Sequence, residues 1–112
     1  RGGSMVGGII EVWAAYDLSS ITPLDTVVGT TADPSQGDLD TVTAAAAVAF
    51  GRATSTGGFI WSGVNEDHDA AGSGTLAATQ YSAASLSKLA AGTLSISCTQ
   101  AGTHNFVAAS FR

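Results

Sequence analysis

Small residues dominate this chain, because 60 of its 112 residues are Ala, Gly, Ser or Thr. Such side chains bury little apolar area, so the core has to be thin and anchored by the two Trp, two Tyr and four Phe residues. A chain of 112 residues is too short for two independent cores. We expect one domain over residues 1–112, with residues 1–6 a flexible or partner-paired N-terminal segment. The start, Arg-Gly-Gly-Ser before Met5, indicates a fragment, a processed product or an added leading segment.

The charge balance excludes several classes of partner. Four basic against nine acidic residues give a net charge of −5, which repels nucleic acid and anionic lipid. The sequence holds no apolar run of the roughly 18 residues that a membrane helix needs, and its start lacks the regions of a signal peptide. Cys98 is the single cysteine, so neither an internal disulfide framework nor a multi-thiolate metal site is available. We expect no cofactor, no nucleic acid and no membrane.

Period-two patterning favours β-structure along most of the chain. The clearest strand is residues 92–98, where Leu94, Ile96 and Cys98 alternate with Thr and Ser. This places Cys98 on an apolar face, as a buried structural thiol rather than a reactive one. Further strands are predicted at residues 9–17, 24–29, 40–50, 59–61 and 105–111, while residues 65–74 are predicted to be a polar loop. Residues 75–89 fit either a strand or a marginal helix.

The alanine-rich segment at residues 40–50 also needs a choice between helix and strand. Four consecutive Ala residues favour a helix intrinsically. Val42, Val48 and Phe50, however, share a period of two, and Thr41 and Thr43 suit the opposite face of a strand. We therefore predict a buried central strand.

Strands about ten residues apart with Gly-rich turns indicate an all-β fold, an antiparallel β-sandwich of jelly-roll type. We expect at least six strands in two sheets. The predicted core residues are Trp13, Phe50, Leu94, Ile96, Phe106 and Val107.

Three blocks of the sequence resemble bacteriophage and prophage virion proteins. The first block, residues 7–31, has a strand, a Thr-Pro-hydrophobic-Asp turn and a second strand. The second, residues 41–61, has an apolar strand, a Gly-rich turn and an aromatic segment. The third, residues 91–112, has two strands around a polar turn. The resemblance implies a jelly-roll or concanavalin-like sandwich in a tail-associated, fibre or capsid-decorating protein. It also implies self-association, with a trimer expected, and contacts with other virion subunits. Members of this group usually carry a preceding strand-rich half, which this sequence does not show.

The densest polar cluster is Glu66-Asp67-His68-Asp69. Carboxylates beside a histidine suit a cation or acid–base chemistry, which makes Glu66, Asp67 and Asp69 the metal candidates. Consecutive residues point in different directions, however, and no calcium-loop or HExxH spacing surrounds them. We therefore expect a solvated loop that does not respond to calcium and tolerates amide replacements.

A second acidic run comprises Asp33, Asp38 and Asp40 around Pro34 and Gly37. Its composition is typical of a turn, although carboxylates and carbonyls would also suit calcium. Sugar sites often pair carboxylates with an aromatic platform. Trp61, Asp38 and Asp40 are accordingly the candidate ligand-binding residues, with Tyr81 as a second aromatic.

No catalytic arrangement is readable in the sequence. Gly-x-Ser-x-Gly does not occur, and His68 and His104 are too far apart in the chain to assign as a base. The function predicted is therefore a non-enzymatic structural component of a phage virion that acts by subunit packing. The alternative is a lectin-like module that binds carbohydrate or a host surface.

Overall fold

The computed structural model describes residues 10–72 and 76–112, and these form eight antiparallel strands in two sheets. The strands are β1 (Asp25–Val28), β2 (Ser35–Thr41), β3 (Ala45–Ala53), β4 (Ile60–Ser62), β5 (Asn65–Ala71), β6 (Gln80–Leu89), β7 (Gly92–Thr99) and β8 (His104–Phe111). A five-stranded large sheet has the order β1-β8-β3-β6-β5, and a three-stranded small sheet has the order β2-β7-β4. The expected antiparallel β-sandwich is confirmed.

Strand pairing is nested along the chain. β1 pairs with β8, β2 with β7 and β3 with β6, so early strands meet late ones. β5 then joins the edge of the large sheet beside β6 instead of joining β4 in the small sheet. The division is therefore five strands and three, and the jelly-roll part of the expectation stays a prediction.

Opposite β3, large residues of the small sheet pack against small residues of the large sheet, while Phe106 of β8 is a large core residue of the large sheet itself. The small sheet and the segment leading into β4 supply Leu39, Ile96 and Phe59. Facing them, β3 turns Ala45, Ala47, Ala49, Gly51 and Ala53 inward. A Cβ at Gly51 would lie 2.7 Å from Phe59 Cε1, so only glycine fits under that ring. Close approach of the two sheets therefore depends on the small residues of β3.

The same alternation corrects half of the predicted core. Ile96 and Phe106 are buried and Leu94 packs against the core, as predicted. Phe50 and Val107 instead face the outer side of the large sheet, where Val107 is 52% exposed. Trp13 lies on that outer face as well. The prediction for these three residues was wrong, because it assumed that the larger residues of an apolar strand point inward.

Three secondary-structure predictions also need correction. Residues 65–71 form strand β5, not a polar loop, since their backbone pairs with β6. Residues 10–17 form no strand, while residue 9 lies outside the described residues. In the 40–50 segment, Asp40 and Thr41 end β2 and the central strand β3 begins at Ala45. The choice of strand over helix there is confirmed, and residues 80–89 are also strand.

Candidate functional site

The acidic cluster lies on β5, the edge strand of the large sheet. A register shift between Glu66 and His68 leaves Asp67 as the bulge residue. Asp67 accepts a hydrogen bond from the Trp13 indole, with 3.0 Å between Nε1 and Oδ2. His68 Nε2 lies 3.9 Å from Glu11 Oε1. Charges and a bulge protect a sheet edge from pairing with another chain, so this part of the cluster has a structural explanation.

Asp69 has a different environment from its neighbours. One carboxylate oxygen accepts the backbone N–H of Phe59 at 3.2 Å, and the other accepts the Gln80 side-chain amide at 2.7 Å. The prediction of a uniformly solvated loop was therefore wrong for Asp69, which ties β5 to the segment before β4 and to β6. Sequence reasoning missed this role because no spacing rule links positions 59, 69 and 80.

The pKa of Glu66 is raised above its ordinary value. Desolvation by its neighbours is the main cause and the charge of Asp69 adds to it, while a hydrogen bond with Ser82 and the nearby His68 act in the opposite direction. A raised carboxyl pKa favours the folded state at low pH, and this contribution is lost as pH rises through the titration range.

The carboxylates do not converge on one point. Among residues 10–72 and 76–112, no group of three or more His, Cys, Asp and Glu side chains is placed to hold a metal ion. The case for metal binding by Glu66, Asp67 and Asp69 therefore rests on the sequence alone.

The candidate ligand-binding residues lie on opposite sides of the small sheet. Asp38 and Asp40 are exposed on β2, on the side away from the core. Trp61 on β4 turns toward the core, where its ring stacks on Phe59 and meets Phe106 edge-on, with centroids 5.7 and 5.5 Å apart. The second aromatic considered, Tyr81, is buried in the large sheet. The structure does not bring these residues together into a sugar platform.

Cys98 is buried, as predicted. Burial raises the pKa of its thiol to about 12, and the negative charge of Asp33 adds to the effect. The neighbouring His104 is also buried, with Nδ1 2.7 Å from the Gly102 carbonyl and Nε2 3.2 Å from the Cys98 carbonyl. A protonated thiol and a histidine held by backbone carbonyls form a structural pair rather than a nucleophile and its base.

The outer face of the large sheet is the most unusual surface of the molecule. Strand alternation places Val28 of β1, Val107 of β8 and both Val48 and Phe50 of β3 on this face. An antiparallel sheet that faces water on one side normally carries polar residues there. Here these residues, together with Trp13, line an open apolar groove of about 400 Å³. We call it the groove.

An irregular segment, residues 10–24, lies over the same face, and we call it the strap. Its N-terminal part is held by the contacts of Glu11 and Trp13 with β5. Its C-terminal part is held near β8 by hydrogen bonds from Ser20 N to the Arg112 carbonyl at 3.0 Å and from Leu24 N to the Ser110 carbonyl at 2.8 Å. The strap therefore crosses the sheet from the β5 edge to the side of β8 and β1, and Trp13 forms one wall of the groove.

The solvent side of the strap is apolar as well. Ile10, Val12, Tyr16 and Ile21 are each between 84% and 90% exposed. Such a concentration of large apolar side chains in one short segment is typical of an interaction surface. The sequence signal for it is the run of apolar residues within 9–17, the segment for which a strand is predicted, with Trp13 in the core.

Comparison with known proteins gives little further information. No protein family matches the chain, and no curated protein matches it either. Among solved structures, the chain is similar to "Structure of the tripod (BppUct-A-L) from the baseplate of bacteriophage Tuc2009". The identity is 13% and the TM-score 0.44, over 100% of this chain and 78% of that one. A similarity at this level assigns neither a family nor a function. No helix in the described part of the chain is long and apolar enough to cross a membrane.

Proposed function

We propose that this chain is a non-enzymatic structural subunit of a phage virion, tail-associated or capsid-decorating, that works by packing against neighbouring subunits. The observation that carries the proposal is the apolar outer face of the large sheet, where Val28, Val107 and the apolar side chains of the strap are exposed and Phe50 is half-buried. Large apolar patches on a soluble domain mark surfaces that become buried in an assembly. The virion assignment rests on the resemblance of the three sequence blocks.

Self-association is the first part of the proposal. The core-facing side of β3 is nearly all alanine, while its larger residues, Val48 and Phe50, face outward. In a monomer the larger apolar side chains of β3 therefore lie outside the core, although their burial would stabilise the fold most. Burial between copies compensates for this, and we propose a trimer, as the resemblance implies.

Light scattering coupled to size exclusion tests the self-association over a range of protein concentrations. We expect a mass close to three times 11.1 kDa at high concentration and dissociation on dilution. A folded, thermally robust monomer at every concentration would contradict this part of the proposal.

The location in the virion needs a separate experiment. Purified particles from the source phage are separated on a density gradient, and each fraction is analysed by quantitative mass spectrometry. We expect the chain to follow the particles in a fixed ratio to a major structural protein. A ratio that changes between washed and unwashed particles would contradict a structural role.

A further inference from the structure

The strap has two apolar sides, and only its inner side packs against the rest of the molecule. Trp13 on the inner side contacts the sheet and Asp67. Val12 and Tyr16 on the outer side are each 84% exposed. The described backbone hydrogen bonds from the strap to the sandwich are those of Ser20 and Leu24, both in its C-terminal half. A segment held this way gains packing on its outer side only if a second surface covers it.

The strap and the groove lie side by side on one face. Trp13 separates them, since its ring forms a wall of the groove while the adjacent Val12 projects from the strap into solvent. A ridge beside a hollow on the same face allows each copy both to insert its ridge and to receive one. In the proposed trimer each copy inserts its ridge into the next copy, so that three such contacts close into a ring instead of growing into a filament.

Charge favours a second copy of this chain as the occupant. The outer-face side carries the three basic residues of the described chain. Arg52 lies on the outer face of β3, and Lys88 and Arg112 line a hollow beside the strap. The strap carries the carboxylates of Glu11 and Asp17, and Asp17 lines the same hollow as Lys88 and Arg112. Because the whole chain has a net charge of −5, this mixed face is where two copies approach with least repulsion.

The face is also large enough for a stable contact. The molecule measures 42 × 35 × 22 Å, and its thin dimension matches two packed sheets, so the sheet faces are the broad ones. A face of this size can supply the roughly 800 Å² per partner of a standard specific interface.

We propose that the strap of one copy docks into the groove of a second copy, with Val12 against the wall formed by Val28 and Val107. This inference rests on the proposed function and adds to it the two surfaces that meet. The partner is another copy of the same chain, and each copy contributes one strap and one groove.

Directed disulfide formation between two differently sized versions of the full chain tests the contact. One version carries Val12→Cys and the other, lengthened by a tag, carries Val107→Cys. The native Cys98 is buried and does not interfere. The matched control replaces Val107→Cys with Ser95→Cys, an exposed position on the solvent side of the small sheet. After mild oxidation we expect the mixed-size dimer to form at least tenfold faster with the cysteine at 107 than with the cysteine at 95. Equal rates for the two pairs would overturn the proposal.

Polar replacements give an independent measurement. Val12→Gln and Val107→Gln change side chains that are exposed in the single copy, so the circular dichroism spectrum is expected to stay that of the β-sandwich. We expect each to weaken self-association at least tenfold in light scattering, while Ser95→Gln leaves it unchanged. Self-association that is unaffected by either replacement would overturn the strap-and-groove contact but leave the proposed function standing. A chain that is monomeric at every concentration would overturn the contact together with self-association, and particle mass spectrometry would then decide the virion role alone.

Discussion

The indole of Trp61 donates a hydrogen bond to Ser82 across the interior of the sandwich, with 2.8 Å between Nε1 and Oγ. Trp61 belongs to β4 of the small sheet and Ser82 to β6 of the large sheet. The hydroxyl of Ser82, which is fully buried, in turn donates a hydrogen bond to the His68 carbonyl of β5 at 3.0 Å. The Ser82 side chain thus connects three strands, and its buried oxygen both accepts and donates a hydrogen bond.

Replacing Trp61 with Phe tests this connection. The ring contacts with Phe59 and Phe106 are largely kept, but the hydrogen bond to Ser82 is lost. We expect the free energy of unfolding to fall by about 0.5–1.5 kcal/mol, measured by urea denaturation. Ile60→Thr serves as the control, because Ile60 is 72% exposed on the same strand, and its effect should stay within about 0.5 kcal/mol. Equal losses for the two variants would contradict the bridge.

Phe106 and Val107 are adjacent on β8 but face opposite sides of the large sheet. Phe106 is 1% exposed and Val107 is 52% exposed. We expect Phe106→Ala to lower the free energy of unfolding by about 3–5 kcal/mol. Val107→Ala should cost below about 1 kcal/mol when measured at a concentration where the chain is monomeric. Similar losses at the two positions would show that the outer face is already covered in the single copy.

Gly51 is predicted to tolerate no side chain. An added Cβ would lie 2.7 Å from Phe59 Cε1 and 3.1 Å from Trp61 Cζ2. We expect Gly51→Ala to destabilise the fold by about 1–3 kcal/mol through overpacking. A double-mutant cycle with Phe59→Leu checks the cause, since the smaller side chain should make room for the methyl group. Additive losses in that cycle would rule out the clash as the source.

Asp69 should be the sensitive member of the acidic cluster. Its two oxygens accept hydrogen bonds from Phe59 N and the Gln80 amide. Asp69→Ala leaves those donors without this partner, and we expect a loss of about 1–3 kcal/mol. Glu66→Gln is the matched control on the same strand and should change stability by about 0.5 kcal/mol or less at neutral pH.

The same pair of variants addresses cation binding by the cluster. We expect no calcium-dependent rise in melting temperature in the native chain. A ligand present at one hundred times its Kd would add about 2.7 kcal/mol, so a bound ion would be seen easily. A rise that disappears in Glu66→Gln would contradict this expectation.

Cys98 should react only after the chain opens. Burial raises its thiol pKa to about 12, so at neutral pH the thiol is protonated as well as inaccessible. We expect the rate of labelling by a thiol reagent to increase with urea in parallel with unfolding. Because the pKa is raised in the folded state, the thiol's contribution to stability is fully present below its ordinary pKa of 9.0 and is lost as pH rises from there through about 12. Full labelling within seconds in the native state would contradict the buried position.

The sequence by itself determined the strands whose two faces differ in chemistry. In β7, Leu94, Ile96 and Cys98 alternate with Thr and Ser, so one face alone is able to enter a core. The overall class followed from several such strands separated by Gly-rich turns. Neither the partner of each strand nor its sheet was readable, because pairing depends on residues far apart in the chain.

The tertiary structure alone decided which side of β3 is buried. Both faces of this strand are apolar, with Ala and Gly on one and Val48 and Phe50 on the other. Phe59 and Ile96 approach from the other sheet and leave room only for the small face. The face with Val48 and Phe50 is thereby turned outward beneath the strap. The candidate interface exists because these larger side chains lie outside the core. In the same way, backbone pairing with β6 made a strand of Asn65–Ala71, whose polar composition is typical of a loop.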